Sequence, residues 1–221
     1  PTLSEKEWES ASGLFDLAEL LGRFYAQAIS GPVEQIEVIY SGKIEGRAVD
    51  IIARTALAGL LQEIVDEPVN PVNAPLIAAK KNIRLTTTHR SHQDPDQRVE
   101  LRVGNGHSSH TLAGVARAHG ENRLTSIDGL PVDIQFSPHM LLTRHKDRPG
   151  IIGAVGTRLG EQGINIAAMQ VGRRQPGEAA VMLLSIDNEV DEQDLQALRS
   201  ITEVEEVRVI NLPERLIRSG T

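Results

Sequence analysis

The apolar residues of the chain change rhythm several times, and each change marks an element. Leu14, Leu17, Leu21, Phe24 and Ala28 recur every three to four positions and predict a helix with one buried face. Ser30-Gly31-Pro32 ends it. Ile36, Val38 and Tyr40 then alternate with other residues, as a strand does, up to Ser41-Gly42. A second helix is expected from Ala48 to Val65, with Val49, Ile52, Ala56, Leu60 and Ile64 on one side. Asp66 to Pro75 carries three prolines and reads as a loop, with Asn73 placed to cap a short helix that has Pro75 in its first turn. Residues 1–12, with Glu5, Lys6, Glu7 and Glu9, read as a polar linker or a frayed helix start.

Over residues 83–136 the rhythm is that of short strands. Ile83 to Thr88 and Arg98 to Val103 are two such runs, and Gly104-Asn105-Gly106 and Asp128-Gly129 supply tight turns, so an antiparallel meander is expected. Helices followed by strands suggest an α+β domain over 13–137. The pattern after that is different: strand His139–His145, helix Arg148–Gln162 closed by Gly163, strand Ile164–Gly172, a turn at Gln175-Pro176-Gly177, strand Ala179–Ile186, a helix capped by Asp191 and running to Ser200, and strand Val204–Leu212. That order, βαββαβ, is ferredoxin-like and occupies 138–213, with 214–221 as a tail. Its open sheet leaves edge strands that invite pairing between subunits.

Composition narrows the function. A chain of 221 residues suits one large or two small domains. With aromatics at 3%, the cores must be built from Ile, Leu, Val and Ala. There is no cysteine, which excludes disulfides and thiolate-bound metals or clusters. The formal charge of -7, without a basic stripe, argues against nucleic acid as a partner, and the absence of a long apolar run or signal peptide argues for a soluble, cytoplasmic protein away from membranes. The histidines, His89/His92 and His107/His110 among them, lack a spacing that converges on a metal. No glycine-rich dinucleotide fingerprint follows a strand, so neither a catalytic residue nor a cofactor site is expected in this span.

One segment carries chemistry. His145-Lys146-Asp147-Arg148-Pro149-Gly150 joins a strand to a helix, and Gly163-Ile164-Asn165-Ile166 opens the next strand. A helix N-terminus offers N–H groups and a favourable dipole to a carboxylate, here through the amides of Ile151 and Ile152, while Gly150 lets a ligand approach the backbone. Asp147 supplies an acceptor for an ammonium group, Asn165 both acceptor and donors, and His145 a donor for a carboxylate. Such residues suit a small zwitterion. They equally suit an N-cap at Asp147, a helix stop at Gly163, a turn at Asn165 and an exposed strand end at His145.

Arg148-Pro149-Gly150-Ile151-Ile152-Gly153, Gly163-Ile164-Asn165-Ile166-Ala167 and Val171-Gly172-Arg173-Arg174 with its Pro-Gly turn resemble an ACT domain, specifically that of D-3-phosphoglycerate dehydrogenases. Val72-Asn73-Ala74-Pro75 and Ser126-Ile127-Asp128-Gly129 resemble the intervening, allosteric-substrate-binding domain of the long form of that family. The resemblance implies L-serine, or another small amino acid, bound between side-by-side ACT domains by His145, Asp147 and Asn165, with feedback inhibition of an NAD-dependent enzyme whose catalytic domains belong to the same polypeptide. It also implies a homo-oligomer. The family's second, anion-binding site falls on Leu130, Pro131 and Gln135, which cannot pair with a phosphate. Lys80, Lys81 and Arg84 fit a solvated face better than an anion site. Two other readings stay open: the small subunit of an iron–sulfur L-serine dehydratase, suggested faintly by Ser108-Ser109-His110-Thr111 before Ala113-Gly114, and a stand-alone amino-acid sensor.

Overall fold

A computed structural model describes residues 5–91, 96–117 and 121–217. His92, residues 1–4 of the expected linker and residues 218–221 of the expected tail lie outside the described residues. The first helix, α1 (Glu5–Ala28), begins well before Leu14. Its apolar stripe reaches back through the fully buried Ala11 to Trp8, whose ring lies 5.3 Å from that of Phe15, seven residues and two turns on. The part of the 1–12 stretch that is described is therefore helical.

After α1 come β1 (Gln35–Gly42), α2 (Arg47–Gln62), α3 (Ala74–Lys80) and five strands: β2 (Arg84–Ser91), β3 (Gln97–Gly104), β4 (Ser109–Ala116), β5 (Asn122–Ile127) and β6 (Leu130–Gln135). They form a six-stranded sheet in the order β2-β1-β3-β4-β5-β6. The expectation of one antiparallel meander over 83–136 is corrected here, since β2 runs parallel to β1 and β1 separates it from β3. The reason is the connection: α2 and α3 form a helical crossover, which returns the chain to the same end of the sheet. The remaining strands form the meander, and Asp128 and Gly129 turn β5 into β6 with φ of 51° and 74°. The helices cover one face. Gly22 and Gly59 allow α1 and α2 to approach closely, because a Cβ would meet Ala56 O at 2.2 Å or Glu19 O at 2.4 Å.

The second unit is β7 (His139–Lys146), α4 (Ile151–Glu161), β8 (Ile166–Arg173), β9 (Ala179–Ile186), α5 (Glu192–Arg199) and β10 (Val204–Asn211), followed by the short α6 (Glu214–Ile217). The antiparallel sheet has the order β10-β7-β9-β8, the ferredoxin-like arrangement. Asp191 caps α5 in a capping box with Asp194. Both faces of this sheet are covered. Leu141, Met182 and Leu184 pack under α4 with Ile151, Val155 and Leu159. Met140, Leu142, Val181, Leu183 and Ile210 face the other way and belong to the same core as α1, α2 and the first sheet. Burial on both sides explains why Ala179–Ile186 reads as a continuous apolar run rather than an alternation. Gly172 of β8 sits where a Cβ would be 2.7 Å from Pro131 O of β6. Among the described residues, no helix is long and apolar enough to cross a membrane.

Candidate functional site

The candidate site forms where β7 gives way to α4 and the β8–β9 turn folds alongside. Gly150 takes the N-cap position with φ 95°, a left-handed conformation that favours glycine, and no side chain caps the helix. The N-cap reading of Asp147 is thereby replaced; the Ile151 N–H makes a long bond of 3.4 Å to the Arg148 carbonyl, and no side chain caps the first turn of α4. Asp147 turns instead to the β8–β9 side, where it accepts from Arg173 Nη1 at 2.5 Å and from the Gly177 backbone N–H at 3.3 Å. The bond from Arg173, with the guanidinium charge, holds the Asp147 carboxyl below the usual carboxylate range.

A cavity of about 540 Å³ opens here, with Asp147, Arg148 and Arg173 as its charged groups and Ile151, Ile152 and Val171 among its apolar walls. The Ile152 side chain is half exposed. Such a concavity, one carboxylate and two guanidinium groups beside a helix N-terminus, suits a small molecule that carries both charges.

His145 is a different residue from the one its position suggested. It is buried in β7, its Nδ1 is 3.3 Å from Thr143 Oγ1, and its Nε2 has no partner. Burial pushes its pKa below the ordinary histidine value, outweighing the pull of Asp147, so the ring favours the neutral form. It does not line the cavity. Asn165 is exposed and donates from Nδ2 to Asp187 Oδ2 at 2.6 Å. It stands just before β8, whereas Arg173 ends that strand. The eight residue steps from one to the other span roughly 25 Å of extended chain. One chain therefore gathers Asp147, Gly150, Ile151 and Ile152 but leaves Asn165 at the far end of β8.

Arg173, Pro176 and Gly177 complete the wall and lie outside the set His145, Asp147, Gly150, Ile151, Ile152 and Asn165 expected from the sequence. Their signal was present in Val171-Gly172-Arg173-Arg174 and the Pro-Gly turn, but only the β8–β9 hairpin brings them beside the end of β7. A second cavity of about 350 Å³, between β6 and β8, includes Gln135 and Arg123, with Arg123 already paired to Asp133.

Residues 12–128 match the family described as the D-3-phosphoglycerate dehydrogenase intervening domain, and residues 139–203 match the ACT domain family. The D-3-phosphoglycerate dehydrogenase of Methanocaldococcus jannaschii is 36% identical over 196 residues, covering 89% of this chain and 37% of that protein. Those of Bacillus subtilis and Synechocystis are 29% and 31% identical over 214 residues, covering 96% of this chain and 41% and 39% of those proteins. The chain spans about two fifths of the length of these relatives. With both domains matched, in this order and across nearly all its length, the chain belongs to the D-3-phosphoglycerate dehydrogenase family and corresponds to its C-terminal regulatory region, an intervening domain followed by an ACT domain.

Proposed function

We propose that this chain senses L-serine, or a closely related small amino acid, at a site shared by two copies of its ACT domain, and that occupancy lowers the activity of the D-3-phosphoglycerate dehydrogenase to which it belongs. The observation that carries this reading is the separation of Asp147 and Asn165 along β8. This strand is the outer edge of its sheet and forms no further ladder among the described residues. Two copies pairing antiparallel along β8 about a two-fold axis would set Asn165 of each opposite the Arg173–Asp147 end of the other, giving two equivalent sites. The adjacent face of α4 supports such pairing. Gly153, Gly156 and Gly160 leave open space where a Cβ would stand, so a neighbouring helix could come close.

On this reading the ligand's ammonium meets Asp147, its carboxylate faces the first turn of α4 at Ile151 and Ile152, and Asn165 of the second copy closes the site over its side chain. His145, buried beneath the site and off the cavity wall, does not meet the ligand within one copy. The catalytic and NAD-binding domains then belong to the rest of the polypeptide, and this span holds no cofactor of its own. Feedback inhibition requires that serine bind the inactive arrangement more tightly than the active one. A coupling of about 1–3 kcal/mol would suffice for a several-fold to hundredfold effect.

Calorimetric titration with L-serine, alongside sedimentation of the free and liganded chain, tests this. Saturable binding between micromolar and millimolar, about -8 to -4 kcal/mol, by a dimer or higher oligomer is expected, with loss of binding in Asn165→Ala. A chain that stays monomeric at high concentration and gives no heat with serine, glycine or alanine would refute the reading.

A further inference from the structure

The cavity holds an ion pair where the ligand is expected, and its two partners are not equivalent. Asp147 is tied to the backbone through the Gly177 N–H, and its side chain is 14% exposed. Arg173 contributes a side chain that is 50% exposed on a long stem. One partner is fixed and the other is free to swing. An ion pair half open to water opens at small cost. The charged groups on the cavity wall are one carboxylate, Asp147, and two guanidinium groups, Arg148 and Arg173. The neighbouring His145 is buried and adds no charge in its favoured neutral form.

Resting on the amino-acid-sensing reading above, we infer that Arg173 is the specificity-determining residue for the ligand's α-carboxylate, and that the zwitterion enters by inserting into the Asp147–Arg173 ion pair. The ligand's ammonium takes the place of the guanidinium on Asp147, and the displaced guanidinium swings to receive the carboxylate where it faces the first turn of α4. One exposed pair becomes two pairs within the cavity. The planar fork of arginine matches a carboxylate with two parallel N–H donors. The consequence is a selection rule: an ammonium alone must break the Asp147–Arg173 pair without replacing it, and a carboxylate alone leaves Asp147 with nothing in exchange for Arg173. The site thus favours compounds bearing both groups on one carbon. The same residue shields Asp147 when no ligand is present, which keeps simple cations and amines from occupying it.

The test compares L-serine with L-serinamide, which keeps the ammonium and side chain but lacks the carboxylate, in titrations of the wild-type chain and of Arg173→Gln and Arg173→Lys. Thermal melts confirm that each variant folds. The wild type should prefer L-serine at least tenfold. Arg173→Gln should bind the two within about threefold of each other, mainly through weaker serine binding, and Arg173→Lys should retain part of the preference, since its single charge replaces only part of the fork. A wild type that binds serine and serinamide alike, or an Arg173→Gln variant that keeps the wild-type preference, overturns the inference while leaving amino-acid sensing intact. A wild type that binds no amino acid overturns both.

Discussion

At the scale of single residues, the acidic groups that matter are those held by named donors. Asp128, at the β5–β6 turn, receives Thr111 N–H at 3.0 Å, His110 Nδ1 at 3.1 Å and Arg144 Nη2 at 2.9 Å, and its carbonyl receives Arg174 Nη2 at 3.3 Å. Burial works to raise its carboxyl, but the bonds from Thr111 and His110 and the charges of His110 and Arg144 outweigh it and hold the pKa below the usual range. Because the carboxyl is harder to protonate folded than unfolded, its contribution is present above about pH 3.9 and is lost as pH falls through the folded value. Asp128→Ala should lower stability by about 1–3 kcal/mol, since Arg144 and His110 lose their acceptor together, and the melting temperature should fall by several degrees. His145 acts with the opposite sense. Its pKa is depressed by burial, so the unfolded chain binds the proton more readily, and stability falls as pH drops below about 6.5 until the folded value is reached. The loss of melting temperature between pH 8 and pH 5.5 should be smaller in His145→Gln than in the wild type. An unchanged pH slope would show that His145 is not the group responsible.

At the scale of elements, the glycines of α2 and α4 make opposite predictions. Gly59→Ala pushes a methyl against the Glu19 carbonyl and should destabilise by about 1–3 kcal/mol through overpacking between α1 and α2. Gly153→Leu meets open space within one chain, so the monomer should keep its melting temperature while self-association and amino-acid binding weaken; sedimentation and titration separate these effects. The elements themselves were largely legible in the sequence. Periodicity located α2, α4, the first three strands and the strands of the ACT sheet to within a few residues, Asp191 marked the start of α5, and β4, β5 and β6 were legible only as a meander between turns. What local pattern could not supply was partnership. Arg84–Ser91 reads as a strand whether its neighbour is parallel or antiparallel, and only the α2–α3 crossover decides. The site was legible to the same extent. Asp147, Gly150, Ile151 and Ile152 are contiguous in sequence and adjacent in space, whereas Arg173 is joined to them by the β8–β9 turn. The burial of His145, 1% exposed, is not announced by its place near the end of a strand.

At the scale of the whole molecule, the two domains share one hydrophobic core, with Met140, Leu142, Val181 and Ile210 of the ACT sheet packed against the α1–α2 layer. Thermal unfolding should therefore proceed as one cooperative transition by all probes; two resolved transitions would show that the domains melt apart. β8 carries one wall of the candidate site and is seated against β6 through Gly172, while Arg174, next to Arg173, holds the Asp128 turn. On the proposed reading, a ligand that moved Arg173 would act on the element joining the domains, which would give a physical route from the site to the intervening domain. All of this depends on a site divided between two copies, and complementation tests that most directly. Asp147→Ala and Asn165→Ala are each expected to abolish L-serine binding. When they are mixed in equal amounts and allowed to exchange, half the dimers are mixed, and each mixed dimer has one site with both residues intact. Titration of the mixture should recover roughly one quarter of the wild-type sites at wild-type affinity, by random pairing across a two-fold interface. A mixture that exchanges subunits and still binds no serine would contradict the shared site.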